Sequence, residues 1–357
     1  MKKADSQFMA KAIALAKKPV FSPHPNPRVG CIIVKDDKII GEGYHDFAGG
    51  PHAEINALKQ AGQASKQSTV YITLEPCSHF GKTPPCANAL IEADVARVVI
   101  AMKDPNPLVA GKGINKLLEA GIAVESEILE SQAKLLNKGF IKRMTSGMPW
   151  ITSKIAMSLD GRTAMASGES QWITSAAARK DVHLLRARCH AILTGSGTVM
   201  KDNPSLTVRD IESNKDNTRQ PIRVLIDSSD VVSKDAKIFS SAGKTIHVDA
   251  AYEKDKNGKI NLNAMLSELG KQEINEILIE AGPSLNGALL SKNLIDEFIV
   301  YMAPDVMGDN ARAMFSLPHL KSMNDKISFE CTDIRKVGRD IRLNLIPTEH
   351  TSVAEAF

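Results

Sequence analysis

Apolar positions along the chain alternate between two periods. Phe8, Met9, Ile13 and Leu15 recur at helical spacing and predict an amphipathic first helix. Arg28 to Lys35 (RVGCIIVK) is apolar and β-branched; Asp36-Asp37 interrupts it, and Lys38 to Tyr44 (KIIGEGY) resumes, which predicts a hairpin. His52 to Gly62 reads as a helix ending at the glycine, Thr69 to Leu74 (TVYITL) as a strand and Cys86 to Ala93 as a helix. Arg97 to Met102 (RVVIAM) is the next strand and Gly113 to Ala120 the next helix. Such alternation predicts an α/β layered domain. A break is expected at Thr145 to Pro149 (TSGMP), a polar stretch with Gly and Pro, which divides the chain into 1–146 and 147–357. Beyond it, WITSKIAMSLDG is strand-like, and a long helix runs from about Thr174 to His190 with Thr174 or Ser175 as N-cap. Ala191 to Thr194, Ile222 to Asp227 and Ile277 to Ile279 are further strands, so the second half is also α/β. Asp210 to Gln220 and Lys254 to Lys259 are polar and expected on the surface, and DIRLNLI near the end is strand-like without legible chemistry.

Bulk properties narrow the classes without choosing among them. A chain of 357 residues, 43% hydrophobic and 24% charged, is ordinary globular composition and suits two domains. A net charge of +4 is too mild to indicate nucleic acid, and no apolar run is long enough to span a bilayer. The basic opening lacks the continuous apolar core of a secretory leader. Five cysteines, odd and sparse, do not make a disulfide framework, so a reducing, cytoplasmic setting is expected. Cys31, Cys189 and Cys331 are expected to be small core residues.

Chemistry enters with His52-Ala53-Glu54, Glu75-Pro76-Cys77 and Cys86. One imidazole and two thiolates suit Zn2+, and three protein ligands leave a position for a water whose pKa the metal lowers. Glu54 lies two residues after His52, placed to move that water's proton to a leaving amine. The pattern matches the zinc deaminase signature, His-x-Glu followed by Pro-Cys and a second Cys. The second cysteine is unusually distant, with Ser78 to Pro85 (SHFGKTPP) intervening. A structural zinc site would need a fourth ligand, for which His79 is nearby.

The segments PNPRVGC, GGPHAEINAL, TLEPCSHFGKTPPC and DPNP resemble the deaminase domain of the bacterial riboflavin-biosynthesis RibD (RibG) family, from about Met1 to Thr145. The resemblance implies a cytidine-deaminase-like three-layer fold and a diamino-pyrimidinone substrate carrying ribosylamine 5′-phosphate, which loses an amino group as ammonia. It implies that Asn26 and His45 line the pocket, that His79 and Lys82 meet the ribose phosphate, and that Asp104 and Asn106 hold the substrate. The residues alone would make Asn26 and Asp104 turn formers beside proline, and Lys82 a solvated side chain.

From Trp150 to about Val300, the segments SKIAMSLDGRTA, SGESQWITS, RARCHAILTGSGTV, DNPSLTVR and IEAGPSLNG resemble the reductase domain of the same family, dihydrofolate-reductase-like in fold. Ala281-Gly282-Pro283 follows a strand and opens a helix whose free N–H groups suit a dinucleotide pyrophosphate, and Gly195-Ser196-Gly197 reads as a second Gly-rich turn, with an ordinary tight turn as the bland alternative. The resemblance implies that NADPH contacts Ala156, Trp172, Thr198, Asp202, Ser228 and the turn Gly282, Pro283, Ser284, Leu285, Asn286 and Gly287. It implies substrate contacts from Ser170, Arg186, Leu206, Arg209 and Glu280, with Lys154 near the ribose. The bland alternatives are a surface or paired role for each Arg, a rim or core place for Trp172 and structural pairing for Lys154. Hydride transfer to the ribosyl group would open the sugar to a ribityl chain.

The leading expectation is a bifunctional deaminase and NADPH-dependent reductase acting on small molecules, with no nucleic-acid or membrane partner, as a homo-oligomer (dimer or tetramer). A nucleic-acid or nucleoside deaminase with an accessory domain, a zinc-stabilised module without catalysis and a reductase with an inactive deaminase remain as alternatives.

Overall fold

The computed structural model describes residues 3–19, 21–78, 84–107, 109–209, 211 and 219–348. Two compact units divide between Gly147 and Met148. Thr145 and Ser146, expected in a linker, instead finish a helix. Their hydroxyls donate to the carbonyls of Ile141 (3.0 Å) and Lys142 (2.7 Å), one turn back.

The first unit runs α1 (Lys3–Ala16), β1 (Gly30–Lys35), β2 (Lys38–Tyr44), α2 (Ala53–Ala61), β3 (Thr69–Ile72), α3 (Cys86–Glu92), β4 (Arg97–Ile100), α4 (Lys112–Glu119), β5 (Ala123–Glu125), α5 (Glu130–Leu136) and α6 (Lys138–Ser146). Its five-stranded sheet has the order β2-β1-β3-β4-β5. The β1–β2 hairpin turns on Asp36 and Asp37, both left-handed (φ 49° and 59°), as a two-residue hairpin loop requires. Strand alternation then builds three layers. Cys31, Ile33, Val70, Ile72, Val98 and Ile100 face Ala53, Ala57, Leu90 and Leu117 of α2, α3 and α4. Ile32, Val34, Tyr71 and Val99 pack with Met9, Ile13 and Leu15 of α1, Ala133 of α5 and Ile141 of α6. Both faces are apolar, as a covered sheet demands.

The second unit runs β6 (Trp150–Ser158), β7 (Arg162–Ala164), α7 (Ala176–Arg188), β8 (Ala191–Gly195), α8 (Ser196–Asp202), β9 (Ile222–Ile226), α9 (Lys237–Ser240), β10 (Thr245–Val248), α10 (Leu262–Lys271), β11 (Glu276–Ile279), α11 (Pro283–Leu290), β12 (Glu297–Ala303), β13 (Arg312–Ala313), β14 (Phe329–Val337) and β15 (Asp340–Pro347). An eight-stranded sheet has the order β10-β9-β8-β11-β6-β12-β15-β14. Strands from β10 to β12 are parallel neighbours, and the β14–β15 hairpin closes the edge antiparallel. One face buries Ala191, Leu193, Ile277, Ile279 and Phe298 against α10 and α11. The other buries Ile192, Leu225 and Leu278 under α8, and Ile299 and Tyr301 under α7.

Two further readings need correction. Gly195 to Gly197 is no simple tight turn: Gly195 is extended (φ −110°, ψ 159°) and caps α8, which starts at Ser196. Cys331 is not a core residue, because it sits on β14, whose interior positions are exposed; Cys31 is buried and Cys189 half-buried.

Candidate functional site

In the first unit, β3 leads into the loop that carries Cys77, while α2 and α3 begin at the same place. His52 is the N-cap residue of α2 and Cys86 the first residue of α3. His52 Nδ1 lies 3.2 Å from Cys86 Sγ and 3.6 Å from Cys77 Sγ, and all three donor atoms lie within 4.8 Å of one another. The Cys86 backbone N–H donates to Cys77 Sγ at 3.3 Å. Two helix N-termini at this point favour negative sulfur. Hydrogen bonding from Cys86, and then from His52, pulls the Cys77 thiol down to about 4, while its bond to Cys77 drives Cys86 strongly upward. The two sulfurs and the imidazole therefore share one hydrogen-bonded cluster that favours thiolate character. An N and S₂ donor set at this spacing fits zinc.

Glu54, in the first turn of α2, is 3% exposed, and burial pushes its carboxyl up to about 7. That value suits a group that both takes and returns a proton near neutral pH. His45 stands at the end of the hairpin with its ring 5.2 Å from that of His52, edge on. Its Nδ1 lies 3.0 Å from the Pro51 carbonyl and its Nε2 3.0 Å from Asn26 Nδ2. Nδ1–H donating to Pro51 leaves Nε2 to accept from the amide, and burial lowers the ring's pKa, so His45 is neutral. Asn26, His45 and His52 are thus neighbours, with Glu54 buried two residues beyond His52 in α2. His79 and Lys82 lie outside the described residues.

Sequence reasoning missed Glu75. Its buried carboxylate accepts the backbone N–H groups of Asp104 (3.2 Å), Gly111 (3.0 Å), Gly113 (2.9 Å) and Ile114 (3.3 Å). One side chain thereby ties the DPNP loop and the start of α4 to the strand end that carries Cys77. Asp104 Oδ1 accepts the Asn106 N–H at 2.8 Å, so Asp104 does form a turn. An acid directly before Pro-Cys, with no helix beginning beside it in sequence, was the available signal.

In the second unit, the parallel strands β6, β8, β9 and β11 end on one edge, where α/β sheets bind ligands. β8 and β11 are neighbours, and each runs straight into a helix behind a glycine N-cap: Gly195 before α8 and Gly282 before α11, with Pro283 at the first turn. Thr198 lies in the first turn of α8, and Asp202 is its exposed last residue. Asn286 is buried; its Nδ2 donates to the carbonyls of Ala281 (2.8 Å) and Gly282 (3.2 Å), and its Oδ1 accepts from Ser153 Oγ (2.7 Å). Its side chain therefore holds the turn rather than facing outward. Ala156 is half-buried on β6, and Ser228 is exposed just beyond β9. Trp172 is 69% exposed and stacks on the Arg179 guanidinium, 4.4 Å from the ring centroid.

Beside this edge, Arg186 and Glu280 pair with each other. Nε and NH2 meet the two carboxylate oxygens at 2.5 and 2.9 Å, and NH1 donates to the Thr207 carbonyl at 3.0 Å. Both side chains are 12% exposed, and Arg186 holds Glu280 down to about 2 despite burial. Burial lowers the Lys154 pKa, partly offset by Glu280. Leu206 is buried with φ 50°, and the Arg209 N–H donates to His183 Nδ1 at 3.2 Å, so α7 holds the segment from Leu206 to Arg209. Ser170 is half-buried on the loop that also bears Trp172. A second possible metal group, Asp227, Asp230 and His247, is engaged otherwise: both Asp227 oxygens accept backbone N–H groups, from Val231 and Val232.

Comparison with known proteins follows the same division. A family model for the cytidine and deoxycytidylate deaminase zinc-binding region matches residues 2–102, and one for the RibD C-terminal domain matches residues 149–343. The chain is 50% identical to the Riboflavin biosynthesis protein RibD of Escherichia coli (strain K12), over 96% of this chain and 99% of that one. It is similar to the Acinetobacter baumannii RibD structure (form 1), with a TM-score of 0.91 and 47% identity over 97% of this chain and 99% of that one. It is also similar to a diaminohydroxyphosphoribosylaminopyrimidine deaminase/5-amino-6-(5-phosphoribosylamino)uracil reductase structure from Thermotoga maritima, with a TM-score of 0.86 and 33% identity over 96% of this chain and 99% of that one.

Proposed function

From the chain's membership of the RibD family of bifunctional riboflavin-biosynthesis deaminase/reductases, we propose which unit performs which step and with which residues. The first unit deaminates diaminohydroxyphosphoribosylaminopyrimidine, and the second reduces the ribosyl group of 5-amino-6-(5-phosphoribosylamino)uracil. The observation that carries this reading is the convergence of His52, Cys77 and Cys86 beside a buried Glu54.

Zinc held by His52, Cys77 and Cys86 would supply an acidified water as nucleophile. Glu54 takes the proton and returns it to the departing amine, a role for which burial, by raising its carboxyl above the ordinary range, suits it. Asn26, with neutral His45 behind it, presents an amide to the pyrimidine edge. Asp104 and Asn106, fixed through Glu75, hold the opposite part of the substrate, and His79 and Lys82 meet its phosphate.

NADPH would supply the hydride in the second unit. The helix starts at Gly195 and Gly282 offer N–H groups to its pyrophosphate, and Trp172, Ala156, Thr198, Asp202 and Ser228 border it. Lys154, with its charge weakened by burial, faces the ribose beside Glu280 and Arg186. Leu206 and Arg209 complete the substrate side, with Ser170. A reducing, cytoplasmic setting accompanies this reading, since the two thiols bind metal only when reduced; the chain is read as a homo-oligomer.

A mass-spectrometric time course tests it. The wild type should form the deaminated product without NADPH and the ribityl product with it. Glu54→Gln should slow ammonia release by about 10²- to 10⁴-fold with zinc retained. Substrate returned unchanged by a zinc-replete wild type would overturn the substrate assignment.

A further inference from the structure

The loop from Met165 to Ser175 carries Ser170 and Trp172 and is fastened at both ends. At its near end, Lys201 Nζ of α8 donates to the Gly168 carbonyl. The far end meets the β14–β15 hairpin, whose sequence shows no chemistry of its own. Asp340 there is fully buried, and its Oδ2 accepts both the backbone N–H (2.8 Å) and the hydroxyl (2.7 Å) of Ser175. Ser175 Oγ in turn accepts the Ala178 N–H as the N-cap of α7. One turn on, Arg179 donates to the Thr174 carbonyl at 2.8 Å and lies under the Trp172 ring. The hairpin turn presses on the same place. Gly338 has φ 64°, and a Cβ there would come within 2.8 Å of Ala177 Cβ and 2.9 Å of Ser175 Oγ.

From this chain of contacts we infer that Asp340 is a positioning residue of the reductase: through Ser175 and Arg179 it sets where Trp172 stands against the nicotinamide dinucleotide. The inference rests on the reading above that Trp172 contacts NADPH. Arg339 Nε lies 3.9 Å from Asp340 Oδ1, an ion pair beyond hydrogen-bond reach, and a carboxylate held at zero exposure is costly unless its acceptors are used. Here Oδ2 is used twice by Ser175, the N-cap of α7, and among the described residues Oδ1 has no hydrogen-bond partner. An asparagine can therefore reproduce the two bonds that matter, whereas alanine cannot.

The experiment measures NADPH kinetics and acrylamide quenching of tryptophan emission in Asp340→Ala, Asp340→Asn, Gly338→Ala and Trp172→Ala. Of the two tryptophans, Trp150 is 5% exposed, so quenching reports Trp172. Asp340→Ala should raise the NADPH KM about tenfold, the effect of a lost cap, with kcat within about twofold and Trp172 quenching altered. Gly338→Ala should shift both readouts the same way through the backbone. Asp340→Asn should restore both, and ammonia release should be unchanged in all of them. If Trp172→Ala raises the NADPH KM and Asp340→Ala does not, the inference falls alone. If Trp172→Ala leaves the NADPH KM unchanged, the cofactor role of Trp172 falls, and the inference with it.

Discussion

The two units solve opposite problems. In the first, reactive side chains converge: His52, Cys77 and Cys86 point their donor atoms at one place, with Glu54 buried beside them. In the second, the most highly charged pair near the site is already satisfied, Arg186 by Glu280 and by the Thr207 carbonyl. What the second unit offers a ligand is mostly backbone, the helix starts behind Gly195 and Gly282. The contrast follows from the chemistry. Activating water requires particular donor atoms, whereas a cofactor brings its own hydride and requires placement.

The sharpest way to break this contrast is to remove a donor. His52→Ala or Cys86→Ala should abolish metal retention and ammonia release together, because three ligands leave no redundancy. Reduction of already deaminated substrate should continue. Metal content by mass spectrometry and two separate activity assays check this; a reductase that fails alongside the deaminase would contradict the division of labour.

The same contrast decides what could be read from sequence. Glu54 and the ligands were legible because metal chemistry fixes residue type, and the helix start at His52 fixes spacing. The strands β1, β3 and β4 were legible because both faces are apolar and β-branched. Glu75 was not, because its work is to hold backbone N–H groups from Asp104 to Ile114, which are adjacent only after folding. Arg186 and Glu280 lie 94 residues apart in sequence, and the resemblance placed both on substrate without showing that they hold each other. Gly195 looked like a turn because glycine alone does not distinguish a turn from a helix N-cap. Cys331 misled because a cysteine is buried by default, and its strand lies at the sheet edge.

A second prediction sharpens the comparison at Arg186 and Glu280. Glu280→Gln strips Arg186 of its carboxylate in a nearly buried place, which costs about 3–5 kcal/mol. Hydrogen exchange should then speed up across α7 and β11 and not across α2. The pH dependence has a definite sign. Glu280 is held at about 2, below the ordinary 4.5, so its contribution is complete above the unfolded value and is lost as pH falls through about 4 to 2. That contribution is roughly 3 kcal/mol from the size of the shift. Acid exchange experiments should show α7 of the wild type loosening in this window, and Glu280→Gln should be indifferent to it. Replacing the pair by Met at 186 and Leu at 280 should recover protection. If reductase activity returned as well, the pair would be structural only, and its assignment to substrate would fail.

The smallest effect tests whether the turn before α11 is set by a side chain. Ser153→Ala removes the hydroxyl that donates to Asn286 Oδ1 at 2.7 Å and leaves that buried oxygen without this donor. The cost is about 1–3 kcal/mol, most of it local. Asn286 still holds the Ala281 and Gly282 carbonyls through Nδ2, so the turn should loosen rather than collapse. The NADPH KM should rise a few-fold, with kcat nearly constant and zinc content unchanged. The direction matters more than the size. A backbone cradle depends on side chains only through the geometry they enforce, so its mutants should lose affinity by degrees, whereas the metal site should fail all at once. A kcat loss without a KM change in Ser153→Ala would show that this turn takes part in the chemical step itself, and the contrast between the two units would no longer hold.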